Sequence, residues 1–124
     1  MISKISIGTA QFGLRYGISN KNDVLCQSQI NEVLSYAYSN NVQLLDTASS
    51  YGNSEENLGK QSKIKEGAFK LVSKFNNLEK SVEQNLFDSF EKLNQSSLYG
   101  YLVHDFSLLK KKESLLDELQ ELKN

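Results

Sequence analysis

Four residues of this 124-residue chain carry side chains suited to proton transfer, and each follows or ends a short apolar run: Asp46, Tyr51, Lys74 and His104. A phenol ordinarily ionises near pH 10, so at neutral pH it releases a proton only with help. An ammonium about 4 Å from a phenol oxygen, at an effective dielectric near 20, favours the phenolate by about 4 kcal/mol. Lys74 could be that ammonium for Tyr51, and Asp46 could hold it charged and oriented. His104 could donate a hydrogen bond to a substrate oxygen and position it. The set suits protonation of a carbonyl oxygen while its carbon receives a hydride. No side chain supplies hydride, so a nicotinamide cofactor is implied. Singly, each has a plainer role: Asp46 as a turn cap, Lys74 snorkelling from its strand, His104 as an ordinary strand-end residue.

Placing the four together requires a particular set of elements. Short apolar runs bounded by polar or turn residues predict strands at Lys4–Gly8, Val42–Asp46, Phe69–Lys74 and Tyr99–His104. Between them, Ile30, Val33, Leu34, Ala37 and Tyr38 recur with helical period, as do Val82, Leu86, Phe87, Phe90 and Leu93. Leu115, Leu116, Leu119 and Leu122 form a third stripe, and a short helix fits Ser54–Gln61 with Asn53 or Ser54 as its cap. Strand and helix alternating in this way imply an α/β fold with parallel strands, since each helix carries the chain back across the sheet. Periodicity leaves two architectures open, a doubly wound sheet or part of an eight-stranded barrel. In both, ligands bind at the carboxyl ends of the strands. Those ends read Gly8-Thr9-Ala10, Asp46, Lys74 and His104.

Composition narrows the remaining classes. Fourteen basic residues stand against 15 acidic ones, a net charge of -1, which gives no reason to expect nucleic acid or an anionic membrane as partner. Hydrophobic residues at 39% suffice for a folded core. Cys26 stands alone, so neither an intramolecular disulfide nor a multi-cysteine metal site is expected, and no metal is assigned. Met1 to Gly8 lacks the apolar run of a secretory signal, and no segment approaches the roughly 18 apolar residues of a membrane span. A soluble, cytoplasmic protein is the expectation. Lys110, Lys111 and Lys112 read as a solvated helix entry, Cys26 as a small apolar residue flanking a helix, and Arg15 as exposed. Gly8, Gly13 and Gly17 are too widely spaced for the usual phosphate-binding fingerprint, which ranks a flavodoxin-like binder last.

With their flanks, these residues resemble the aldo-keto reductase family. Ile7 through Gly13 is similar to its first strand and the turn under the nicotinamide. The run Leu45-Asp46-Thr47-Ala48-Ser49-Ser50-Tyr51-Gly52-Asn53-Ser54-Glu55 resembles its aspartate–tyrosine motif. Leu71-Val72-Ser73-Lys74 resembles the strand bearing its lysine, and Tyr101-Leu102-Val103-His104 the strand bearing its histidine. The resemblance implies a TIM (β/α)8 barrel, with Tyr51 as general acid and Asp46, Lys74 and His104 completing a catalytic tetrad. It also implies NADPH, less often NADH, as cofactor, with Gly8, Thr9 and Ala10 near the nicotinamide and Asp46 near its ribose. The substrate would be a small aldehyde or ketone.

A barrel of this kind takes about 250 residues, so residues 1–124 are expected to be its N-terminal half, four β/α units of eight, truncated. Strands one and four would be unpaired edges. The family's pyrophosphate-binding loops would lie in the other half. Three states follow: an inactive remnant or interaction module, a barrel closed by a second copy or a separately encoded second half, or an open sheet stable alone.

Overall fold

The computed structural model describes residues 3–21 and 23–123, and Met1, Ile2, Asn22 and Asn124 lie outside the described residues. Four strands, β1 (Ser6–Gly8), β2 (Leu44–Asp46), β3 (Lys70–Phe75) and β4 (Gly100–Val103), form one parallel sheet in sequential order. Between β1 and β2 lie a 3-10 turn (Ala10–Phe12) and helix α1 (Gln27–Ser39). The β2–β3 connection holds α2 (Ser54–Gly59) and α3 (Ser62–Lys65), and α4 (Val82–Leu93) joins β3 to β4. After β4 come α5 (Phe106–Lys111) and α6 (Leu115–Leu122). Register pairs Gly8 with Asp46, Asp46 with Val72, and Phe75 with Val103, so β1 and β2 end level while β3 and β4 run three residues further.

Alternation along each strand divides the sheet into two unlike faces. Leu45, Leu71, Ser73 and Phe75 point into the helical layer and are buried. Ser6, Gly8, Leu44, Asp46, Val72, Lys74 and Leu102 occupy the other face and are half-buried or exposed. The main core packs Ile30, Leu34 and Ala37 of α1 and Leu58 of α2 with Leu45, Leu71, Ile64 and Leu93. Each such leucine or isoleucine side chain contributes about 1.5–3 kcal/mol by leaving water. A second cluster gathers Phe75, Val82 and Leu115, with Leu119 and Leu122 of α6 partly buried on it. A doubly wound sheet reverses its strand order and carries helices on both faces. Sequential order with one helical layer is instead the arrangement of four β/α units of a (β/α)8 barrel, which settles the choice the periodicity left open. Among the described residues, β1 and β4 each have one unpaired edge.

Several boundaries differ from the sequence-based expectation. The first strand begins at Ser6, not Lys4, and the second at Leu44, not Val42. The Val42 amide is spent on the Ala37 carbonyl at the end of α1, so β2 starts later and β1 has nothing to pair with at Ile5, which is 65% exposed. β3 runs one residue beyond Lys74, because Phe75 pairs with Val103. The short helix ends at Gly59, not Gln61, where a Cβ would stand 2.2 Å from the Lys92 carbonyl oxygen of α4.

On α4 the buried line runs Val82, Asn85, Ser89, Leu93, whereas Phe87 is exposed. Asn85 is tolerated there because its amide donates to the carbonyls of Asn77 at 2.8 Å and Ser81 at 3.0 Å. Lys110 and Lys111 lie in the last turn of α5, an exit and not an entry, where their charge meets the negative end of the helix. Cys26 does flank a helix, α1, but is exposed, and its sulfur lies 3.0 Å from the Ser28 hydroxyl. Among the described residues no helix is long and apolar enough to cross a membrane.

Candidate active site

The open face of the sheet brings Asp46, Tyr51, Lys74 and His104 together at the carboxyl ends of β2, β3 and β4. Asp46 is the last residue of β2, and Lys74 lies on the adjacent strand with its side chain on the same face. The Lys74 ammonium donates to Asp46 Oδ2 at 2.8 Å and to the Thr47 carbonyl at 2.9 Å. The ammonium also stands 5.1 Å from the centre of the Tyr51 ring. The Tyr51 and His104 rings meet edge to face, with centroids 5.8 Å apart. His104 Nδ1 lies 3.3 Å from the Ser50 hydroxyl. Asp105, next along, turns to solvent and caps α5 by accepting from the Ser107 amide at 2.7 Å. That amide holds its carboxyl below the usual carboxylate range.

The loop carrying Tyr51 is pinned from below and from the side. Thr47 N–H donates to the Val72 carbonyl, and Ser49 N–H to that of Lys74, so the loop hangs from β3 itself. Tyr51 N–H turns back to Ala48 O, and Ser54 N–H to Tyr51 O, before α2 begins. Gly52 has φ +54°, and a Cβ there would stand 2.3 Å from the Gly13 carbonyl oxygen. A Cβ on Gly13 would stand 1.9 Å from the Tyr51 carbonyl oxygen. The two glycines let the β1 and β2 loops touch backbone to backbone, which sets where Tyr51 starts.

The residues assigned to a nicotinamide cofactor are placed unequally. Gly8 faces open space, with no atom within 4 Å of where a Cβ would be, and the Asp46 carboxylate beside it is partly exposed. An uncovered strip of backbone next to a carboxylate fits a flat ring and its ribose. Ala10 is half-buried. Thr9 is buried, and its hydroxyl turns inward to donate to the Asp46 carbonyl at 3.1 Å. Directly beneath the site lie Thr47, Ser54 and Ser73, all buried, and Glu55, 2% exposed, to which the proton-transfer pattern in the sequence assigns no part. Their signal was a Ser-Glu pair opening a helix on its buried side.

A family model described as the aldo/keto reductase family matches residues 4–124. Two solved structures of Pseudomonas aeruginosa proteins assigned to the aldo-keto reductases are similar to this chain at 24% and 25% identity, with TM-scores of 0.78 and 0.79. The similarity covers 98% of this chain and 51% and 50% of theirs. An aldo/keto reductase from Brucella melitensis, 25% identical, matches 80% of this chain and 41% of its own at a TM-score of 0.56. The chain therefore spans about half the length of the first two structures. No curated protein matches the sequence.

Proposed function

Because the chain belongs to the aldo/keto reductase family, we propose that it carries the proton-transfer half of a carbonyl reductase acting on a small aldehyde or ketone. The observation that carries this reading is the convergence of Asp46, Tyr51, Lys74 and His104 on the open face at the strand ends. NADPH, or NADH, would supply the hydride to the carbonyl carbon. Gly8, Ala10 and Asp46 would hold its nicotinamide end, with Thr9 fixing their backbone from behind.

Tyr51 hands its phenolic proton to the substrate oxygen as negative charge gathers there. Lys74 is the positive charge beside that ring, its ammonium 5.1 Å from the ring centre. Asp46 and the Thr47 carbonyl aim the ammonium and keep it from swinging into solvent. His104 would present Nε2–H to the substrate oxygen in the tautomer whose Nδ1 accepts from the Ser50 hydroxyl, 3.3 Å away.

A β/α half like the additional length of the solved relatives would add strands at the free edges of β1 and β4 and complete the cofactor site. A second copy would meet those same edges without supplying the cofactor site. Light scattering across a concentration series distinguishes a monomer from a closed pair. The chemical reading is tested by following NADPH oxidation over a panel of aldehydes, with and without Tyr51→Phe. The unaltered chain should be faster by about 10²–10⁴, the usual worth of a general acid. Equal rates would remove the reading.

A further inference from the structure

We propose that Ser54 and Glu55, the first two residues of α2, are positioning residues that fix Tyr51 relative to Lys74 from behind the sheet. Both side chains are buried, at 0% and 2% exposure, on the side away from the open face. The Ser54 hydroxyl donates to the Thr9 carbonyl at 2.9 Å, and lies 2.9 Å from Thr9 Oγ1 and 3.0 Å from Thr47 Oγ1. Thr9 in turn donates to the Asp46 carbonyl. One hydroxyl thus ties together the carboxyl ends of β1 and β2, while its own amide holds the Tyr51 carbonyl at 3.0 Å.

Glu55 performs the matching service for β3. Its Oε1 accepts the Ser73 hydroxyl at 2.6 Å, and Ser73 immediately precedes Lys74 on the opposite face of the strand. Sliding β3 by one residue would exchange those faces, so a bond to Ser73 is also a constraint on where Lys74 emerges. Glu55 Oε2 is buried without a hydrogen-bond partner among the described residues. Burying a carboxyl for a single hydroxyl is costly, and an apolar side chain would fill the same space at less expense. Tyr101, which neighbours Ser73 in the register, has its phenol pushed well above the usual range by burial, and the Glu55 charge acts in the same direction. What the carboxyl provides here is position, since α2 starts only three residues after Tyr51. Helix, loop and two strand ends then move as one body.

The catalytic purpose rests on the function proposed above, but the geometry can be read without turnover. The experiment uses the full chain labelled with ¹⁵Nζ-lysine and ¹³Cζ-tyrosine, comparing Ser54→Ala, Ser73→Ala and Glu55→Gln with the core control Ile64→Val. Ser54→Ala and Ser73→Ala should displace the Lys74 and Tyr51 resonances together. They should also speed exchange of the Lys74 ammonium hydrogens by about 5-fold, the equivalent of one ordinary hydrogen bond. Glu55→Gln keeps an acceptor for Ser73 and should leave both resonances near their original positions. Unchanged signals in the two alanine variants, or equal displacement in Ile64→Val, would overturn the proposal. Ser73→Ala, the mildest change, keeps the comparison decisive should Ser54→Ala fail to fold. Failure of the Tyr51→Phe assay would leave these signals untouched, so the two ideas can fall separately.

Discussion

Lys74 and Asp46 face each other across the β2–β3 boundary, with the ammonium 2.8 Å from the carboxylate and their side chains 15% and 38% exposed. The asymmetry matters, because the lysine has given up most of its hydration while the aspartate keeps part of its own. Each therefore has a different cost of losing the other.

Asp46→Asn should destabilise the chain by about 2 kcal/mol, between the values for exposed and buried pairs, because it leaves Lys74 poorly hydrated and unpaired. Lys74→Met removes the costly charge itself and should be nearly neutral. Urea unfolding of both variants checks the order. Equal losses would mean that the pair is no more than a surface contact.

Gly13→Ala should cost about 3 kcal/mol or more, since its new carbon would stand 1.9 Å from the Tyr51 carbonyl oxygen and backbone cannot step aside. Gly67 has φ +73° but open space around it, so Gly67→Ala should cost only about 1–2 kcal/mol of backbone strain. Thermal unfolding of the two variants separates the effects. Only Gly13→Ala should also disturb the Tyr51 resonance.

Ser81 caps α4, accepting from the Gln84 amide at 3.1 Å while the Gln84 side chain returns to the Ser81 amide at 3.0 Å. Ser81→Ala should lower stability by about 1 kcal/mol, and Ser81→Asp should restore most of it. Circular dichroism during heating measures both.

Glu118 ties α6 to the rest of the chain. The Lys112 ammonium, and after it the Val82 amide, hold its carboxyl below the ordinary glutamate range. A carboxyl depressed in the folded state stabilises it fully above the unfolded value and loses that contribution as pH falls through the folded one. Protection of α6 amides against hydrogen exchange should accordingly be flat above about pH 5 and decline below about pH 4. Glu118→Gln should remove that decline. Persistence of the decline in the variant would place its origin elsewhere.

Much of the layout was legible before any coordinates, for reasons that differ residue by residue. The stripe Ile30, Leu34, Ala37 announced a helix because a surface helix must put its apolar residues on one side, and all three are indeed buried. On α4 the same rule points to Phe87, which is exposed, because the helix packs along Val82, Asn85, Ser89 and Leu93 instead. Asn85 holds a buried place through hydrogen bonds to Asn77 and Ser81, and no count of apolar residues registers such partners. Thr9 was expected at the cofactor, and its side chain turned inward to a carbonyl that only the folded chain brings near.

By itself the sequence determined that strands and helices alternate, that the strands run parallel, and which four ionisable residues end or follow them. These depend on period and on local turn chemistry, which neighbouring residues settle among themselves. Only the tertiary structure decided the order of the strands, the single helical layer, and the approach of Lys74 to Asp46 and the Tyr51 ring. It also decided the burial of Ser54 and Glu55 beneath them. Those facts arise from contacts between segments far apart in the chain, where strand register and backbone packing, not local preference, choose which atoms meet.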